Sequence, residues 1–211
     1  MILDERSVHR IEAFSDIVIG FGLAQLGTSL ALNPRSMMLE RSGLLVFVSS
    51  FAIVCSLWFL HHRLFLHYFV PRTLPIVLNF FWLAIVVLLV FTAVQSRAAF
   101  THRNFALFYF GLYGLAYALL AFQTLLGVRA KPGLSRELRE TGIRQAWMLF
   151  LWASVFELCL LLGVAIASTI TFWLSVDAVF ILAGIATAAL VRVFRRRRAR
   201  LMEQTLSSPS A

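Results

Sequence analysis

Three acidic side chains lie inside apolar runs of this sequence, where an ionised carboxylate is costly. Asp16, Glu157 and Asp177 each fall within a stretch that is otherwise mostly apolar. An acid at the centre of a bilayer costs roughly 2.5–3.5 kcal/mol on insertion scales. Each acid therefore needs a hydrogen-bond partner or water. For Glu157 and Asp177 two readings stay open: a buried hydrogen bond to a Trp, Ser or His of a neighbouring helix, or a direct role in moving an ion.

The run that follows Asp16 carries a line of small residues when it is drawn as a helix. Asp16, Gly20, Ala24, Gly27 and Ala31 fall within about 40° of one line at 100° per residue. Small residues let helix backbones approach closely. The pattern predicts that this line packs against another helix and that Asp16 points into protein.

A second line of the same helix combines aromatic and polar residues. Arg10, Phe14, Phe21, Gln25 and Thr28 lie about 100° from the first line. Gln25 would be poorly satisfied in lipid. The line suits either a water-lined path with one apolar constriction or a set of hydrogen bonds to a neighbouring helix, and the wheel alone does not decide between them.

The end of the second apolar run brings further polar side chains to about the depth of Asp16. Trp58, His61 and His62 lie there, and Asn79 lies near the start of the third run. A polar network joining the first three runs is therefore predicted. His61 and His62 are adjacent and face different directions on a helix, so no metal site is expected.

The composition indicates an integral membrane protein. Of the 211 residues, 60% are hydrophobic and only 14% are charged, and the mean hydropathy is +0.84. Soluble domains are nearer to half apolar and a quarter charged. Cys55 and Cys159 lie in apolar runs and are expected to be packing residues.

Six segments are long and apolar enough to cross a bilayer, which predicts an all-α membrane protein with six transmembrane helices. They are roughly 11–32, 44–69, 74–96, 104–128, 146–168 and 170–191. The polar connection 131–144 could hold a short amphipathic helix. The chain then divides into a transmembrane domain, 1–195, and a basic, then polar, cytoplasmic tail, 196–211.

The distribution of basic residues predicts that both termini are cytoplasmic. In that orientation fifteen of the nineteen Lys and Arg residues lie inside, as the positive-inside rule requires. The four outside are Arg35, Arg41, Arg97 and Arg103. The run Arg195–Arg198 directly follows an apolar span, so we expect it to contact anionic lipids rather than nucleic acid.

The stretch RIEAFSD, from Arg10 to Asp16, resembles the RxxxFSD signature at the head of the first helix in the transmembrane protein 175 family. The stretch SFAIVCSLWFLHHRLF at 50–65, followed by Asn79, is also similar to that family. Its members are potassium-permeable channels of bacteria and lysosomes. The resemblance implies a signature network formed by Arg10, Phe14, Ser15, Asp16, Trp58, His61, His62 and Asn79.

The resemblance also implies a homotetramer in which four copies of the first helix line a central pore for potassium or other monovalent cations. The family's first constriction position falls on Phe21, and the positions one and two turns further on are Gln25 and Thr28. Relatives carry a small residue directly after the signature Asp and a Thr eight positions after it, where this chain has Ile17 and Ala24. The expected location is a bacterial inner membrane, and no cofactor is implied.

Two other classes of function stay open at this point. One is a secondary carrier or a proton leak that uses the intramembrane acids, and the other is a membrane protein that transports nothing. An enzyme is not expected, because the sequence has no nucleophile elbow, phosphate-binding loop, dinucleotide fingerprint or HExxH motif.

Overall fold

The computed structural model describes residues 5–32, 41–95 and 102–165, and this part of the chain is all-helical apart from two short connections. It contains five helices in chain order: α1 (Glu5–Leu32), α2 (Arg41–His67), α3 (Thr73–Gln95), α4 (His102–Ala130) and α5 (Arg136–Ala165). They correspond to the first five predicted spans. The sixth predicted span, Asp177 and the tail 196–211 lie outside the described residues.

Within the described ranges, three segments are long and apolar enough to cross a membrane. They are Thr73–Val94 in α3, Phe108–Ala130 in α4 and Arg136–Leu162 in α5. The exposed surface of these helices includes large apolar side chains such as Phe91, Phe122 and Leu161. Apolar side chains on the outside of a helical bundle are what a lipid environment accommodates.

The polar connection predicted at 131–144 is shorter in the structure, and its helical part is not a short helix of its own. Only residues 131–135 leave the helical conformation, and α5 begins at Arg136. Pro132 and Gly133, which has a φ of +70°, make the turn. Ser135 then caps α5, because its hydroxyl accepts a hydrogen bond from the Leu138 N–H at 3.2 Å. The polar segment is therefore the first part of one long helix.

Helix α3 is at the centre of the described bundle and packs against α1, α2 and α4, while α4 and α5 form the most extensive helix pair. Trp82 of α3 is fully buried, and its indole N–H donates to the Ala116 carbonyl of α4 at 3.2 Å. This bond satisfies the one polar atom of a large buried aromatic side chain.

Two hydroxyl pairs set the register of α2 against α4. Ser50 bonds Tyr109 at 3.0 Å, and Ser56 bonds Tyr117 at 2.9 Å. Because the residue numbers rise together along both helices, α2 and α4 run parallel. Helix α2 is thus fixed in register against α4.

The face by which α1 joins the bundle is the line Ser15, Ile19, Gly22 and Leu26, all of which are buried. A Cβ atom on Gly22 would lie 3.1 Å from Cγ2 of Val90 on α3. This close approach explains why a glycine occupies the position. The packed face of α1 is therefore different from the small-residue line that the wheel suggested.

Candidate functional site

A directed chain of hydrogen bonds connects the first three helices near the start of α1. Asn79 Nδ2 donates to Ser15 Oγ at 3.2 Å, and Ser15 Oγ donates in turn to the Ile11 carbonyl at 2.8 Å. With its amide nitrogen committed to Ser15, Asn79 presents its oxygen to His61 Nε2 at 2.7 Å. An amide oxygen only accepts, so His61 donates from Nε2 and is the tautomer protonated there.

The ring of His61 is enclosed by aromatic side chains. It stacks on Trp82 with a centroid distance of 4.4 Å and an interplanar angle of 7°, and it meets Phe65 at 4.7 Å. Both His61 and Asn79 are fully buried. The arrangement fixes one imidazole and one amide in a single orientation, so that α2 and α3 hold the backbone of α1 through Ser15.

Two direct side-chain contacts join α1 to α2 and lie one helical turn apart; each is called a rung here. In the first rung, Trp58 Nε1 donates to Asp16 Oδ1 at 2.9 Å. In the second, His62 Nδ1 lies 3.1 Å from Glu12 Oε1. Asp16 thus has the hydrogen-bond partner that an acid in an apolar helix requires, and the rungs show that α1 and α2 run antiparallel.

Not every residue of the predicted signature network takes part in these contacts. Arg10 and Phe14 lie on the exposed side of α1, although the Phe14 ring is 6.0 Å from that of Phe80 on α3. The structure brings together the other six predicted residues: Ser15, Asp16, Trp58, His61, His62 and Asn79.

The predicted packing of the small-residue line is not found among the described helices. Gly20, Ala24 and Gly27 are exposed, and nothing lies within 4 Å of a Cβ atom built on Gly20 or Gly27. The physical reason is that Ile19, Gly22 and Leu26 offer a better fit to α3, which turns the small residues outward. The side chain of Ala31 lies outside the described residues.

The line of predicted pore residues is also exposed. Phe21 is 66% exposed, and Gln25 and Thr28 are exposed beside it. The Thr28 hydroxyl donates within its own helix, to the Ala24 and Gln25 carbonyls at 3.0 Å each. All exposed residues of α1 between 13 and 28 fall within about 80° on either side of Ile17. One broad face of α1 is therefore left uncovered by α2 and α3.

Sequence reasoning missed Glu12 and Trp82 as members of the site. Glu12 could have been found, because Glu12 and Asp16 are four residues apart on α1, and Trp58 and His62 are four apart on α2. Side chains at that spacing share a helix face. Trp82 had no comparable signal, since only its packing beside His61 distinguishes it from other buried aromatic residues.

Glu157, the predicted intramembrane acid of α5, lies outside the α1–α2–α3 contacts. Glu157 is exposed and lines an open surface groove between α4 and α5, together with Gly114, Phe150 and Ser154. A Cβ atom on Gly114 would lie 2.5 Å from Glu157 Oε1, which is the end of a flexible and exposed side chain. All residues that line the groove belong to α4 and α5, so Glu157 takes no part in the α1–α2–α3 contacts.

Comparison with known proteins finds a family similarity in the first three helices. Residues 10–89 match the sequence model of a family described as the endosomal/lysosomal potassium channel TMEM175. This range contains every hydrogen bond and rung described above between α1, α2 and α3. The search of curated proteins finds no match.

A solved structure has a similar fold. It is a crystal structure of a variant of the potassium channel MtTMEM175 in complex with a nanobody–MBP fusion protein, and the two chains superpose with a TM-score of 0.63. The identity is 18%, and the match covers 89% of this chain and 93% of the other. At this identity the likeness shows a shared fold.

Proposed function

From the match of residues 10–89 to the TMEM175 potassium-channel family model, we propose that the chain belongs to that family and is a cation channel of four identical subunits, with α1 of each subunit lining a central pore. The three membrane-length segments and the family together make it an integral membrane protein. The proposed cargo is potassium or another monovalent cation.

The observation that carries the proposal is the exposed face of α1. One side of this helix is held by buried hydrogen bonds and by close packing on α3, and the opposite side carries Gln25 and Thr28 in the open. Polar side chains on an uncovered membrane helix are costly in lipid. A fourfold arrangement that turns this face towards a water-filled axis removes that cost.

Phe21 is the proposed constriction. Four phenyl rings around one axis would form a narrow apolar collar, and such collars block ions by excluding water. One turn further on, four Gln25 amides would offer oxygens to a partly dehydrated cation, and four Thr28 hydroxyls would follow. The collar would then set the barrier, and the polar rings would set the preference among cations.

The proposal is tested by thiol modification of purified protein in liposomes. The native Cys55 and Cys159 are first replaced by Ala, and Thr28→Cys is introduced into that background. A positively charged thiol reagent should then abolish potassium flux through Thr28→Cys. The matched control is Phe122→Cys on the exposed side of α4, where the reagent should leave the flux unchanged.

Oligomeric mass, measured on the same preparation, should correspond to four chains of 23.8 kDa. A monomer, or a tetramer with no cation flux, would refute the channel proposal. Flux that saturates and requires a second ion on the opposite side would favour a carrier, and proton flux without potassium flux would favour a proton leak.

A further inference from the structure

Tyr68, the residue that follows α2, lies where the ends of α2, α4 and α5 meet. A Cβ atom on Gly127 of α4 would collide with the Tyr68 carbonyl, and one on Gly142 of α5 would lie 2.8 Å from Cε1 of the Tyr68 ring. The Tyr68 hydroxyl donates to the Leu138 carbonyl of α5 at 3.1 Å. Tyr68 is fully buried, so these contacts hold the three helix ends directly against one another.

Each of these helices brings one basic side chain to the junction. Arg63 of α2 and Lys131, directly after α4, both interact electrostatically with His67. Arg63 and Arg144 of α5 interact in the same way with Tyr68. The ion pairs among the described residues include neither Arg63 nor Lys131, and Arg144 donates to two neutral oxygen atoms of its own helix. Three cations therefore surround a two-residue segment, and we call them the basic cluster.

The positive-inside bias accounts for cations at this end of the bundle, but it does not account for their convergence on one point. In the described part of α2–α5 and their connections, this end carries seven Lys and Arg residues and two acids: Arg63, Arg72, Arg129, Lys131, Arg136, Arg139 and Arg144, with Glu137 and Glu140. Glu140 is already paired with Arg136 at 3.1 Å. Like charges held close together repel, so the basic cluster is stabilised by an anion from outside the chain.

Exposed apolar side chains beside the basic cluster indicate its depth in the membrane. Leu66, three residues after Arg63, is 60% exposed, and Trp147, three residues after Arg144, is 69% exposed. Exposed leucine suits hydrocarbon, and tryptophan is enriched where hydrocarbon meets the headgroups. Counted along α2 and α5 from the Tyr68 contacts, Arg63 and Arg144 lie at about the same depth. Their guanidinium groups can therefore reach the phosphates of one leaflet.

We propose that Arg63, Lys131 and Arg144 bind the headgroup of an anionic phospholipid where α2, α4 and α5 meet. Basic pockets between transmembrane helices near the membrane surface suit such headgroups. Arginine offers paired N–H donors that match phosphate oxygens, and lysine adds a compact charge. The acyl chains would lie along exposed apolar side chains such as Leu66. This site is separate from the lipid contact expected of the tail, 195–198.

Lipid binding is measured on the full-length protein in detergent, with the tail arginines Arg195–Arg198 replaced by Gln so that the tail does not contribute. Phosphatidylglycerol is titrated while the melting temperature is followed, and phosphatidylcholine, which has no net charge, is the comparison. Only phosphatidylglycerol should raise the melting temperature. In Lys131→Gln the concentration that gives half of this rise should increase about fivefold, the contribution of one cation beside an anionic membrane surface. Arg63→Gln and Arg144→Gln should each act similarly.

Arg129→Gln is the matched control for Lys131→Gln. Arg129 is exposed in the last turn of α4, and two residues before Lys131 it points to a different side of the helix. The change removes the same charge at nearly the same depth, and the response to phosphatidylglycerol should stay as in the parent protein. The melting temperature of each variant without lipid is measured as well, which separates a loss of folding from a loss of binding.

Several results would overturn the lipid site. One is a parent protein that phosphatidylglycerol does not stabilise, or that phosphatidylcholine stabilises equally. Another is an unchanged half-rise concentration in Lys131→Gln and Arg63→Gln, or an equal weakening in Arg129→Gln, which would mean a diffuse basic surface. Inorganic phosphate should have no effect, and a rise as large as that with phosphatidylglycerol would make the basic cluster a site for soluble anions. None of these measurements uses cation flux, so they stand whether or not the channel proposal holds.

Discussion

At the scale of single residues, Phe21 is the side chain that most directly separates a pore from ordinary packing. It is 66% exposed in the subunit, so truncation leaves no cavity among the described helices. Phe21→Ala should widen the proposed collar and raise single-channel conductance, because water can then enter the constriction. Phe21→Leu keeps an apolar collar and should change conductance less.

Tetramer yield is measured beside conductance for both Phe21 variants. A buried Phe→Ala change costs about 3–5 kcal/mol and lowers the yield of folded protein. A reduced yield, with unchanged conductance in the tetramers that remain, would mean that Phe21 packs in a subunit interface and does not line the pore.

Gln25 is expected to influence which cations pass. Gln25→Leu removes the amide oxygens from the path and should alter the order of permeability among potassium, sodium and caesium. Gln25→Asn retains an amide and serves as the control. Reversal potentials in mixed-cation solutions measure the order, and an identical order in Gln25→Leu would show that the selective groups lie at other positions.

Asn79 forms hydrogen bonds with two buried groups, the His61 ring and the Ser15 hydroxyl. Asn79→Leu leaves the His61 Nε2–H without its acceptor and removes the donor to Ser15. A buried polar group left unsatisfied costs about 1–3 kcal/mol, so the free energy of unfolding should fall by at least that amount. The measurement is denaturant-induced unfolding in detergent.

Thr124→Val is the control for this change. Thr124 is as deeply buried as Asn79, but its hydroxyl bonds only to the Leu120 carbonyl of its own helix. Its loss should alter stability little. If Asn79→Leu were equally mild, the chain of hydrogen bonds would not be what holds α1 to α2 and α3.

At the scale of helices, Tyr68 is wedged between the ends of α4 and α5. Its hydroxyl donates to the Leu138 carbonyl at 3.1 Å, and its ring and backbone fill the space left by Gly142 and Gly127. A Cβ atom on Gly127 would collide with the Tyr68 carbonyl, which is backbone and cannot rotate away. Glycine is therefore required where α4 passes this turn.

Gly127→Ala should destabilise the protein by about 1–3 kcal/mol, the usual cost of overpacking. The control is Gly111→Ala in the same helix, where the new methyl group would meet Leu160 at an ordinary 3.6 Å. That change should be neutral or slightly stabilising, since Ala favours helices over Gly by up to about 1 kcal/mol. The measurement is the melting temperature of each variant. Equal melting temperatures would contradict the close approach of Gly127 to Tyr68.

At the scale of the whole molecule, the orientation in the membrane stays a prediction. Fifteen of nineteen basic residues lie inside when both termini are cytoplasmic. In a background without native cysteines, Ser208→Cys should react with an impermeant thiol reagent only after the membrane is opened, and Asn33→Cys should react in intact cells. Labelling of Ser208→Cys from outside intact cells would reverse the topology.

The helices of the described region could largely be predicted from the sequence. Runs of apolar residues predicted the five helices, because the length of a membrane helix is dictated by the bilayer and its residues are local in the chain. The depth of Trp58, His61 and Asn79 also followed from their positions near the ends of such runs. The difference at 131–144 arose because charged residues were read as a boundary, whereas RELRE continues a helix well once Ser135 has capped it.

Tertiary structure alone decided which face of α1 is packed and how α1 and α2 are aligned. A helical wheel groups Asp16 with Gly20 and Gly27, and Phe21 with Gln25, but it does not say which group meets a neighbour. That choice depends on how side chains of distant segments fit together, as Gly22 does with Val90. The alignment of α1 with α2 pairs Glu12 with His62 as well as Asp16 with Trp58. A shift of one helical turn between these two helices would change both pairs.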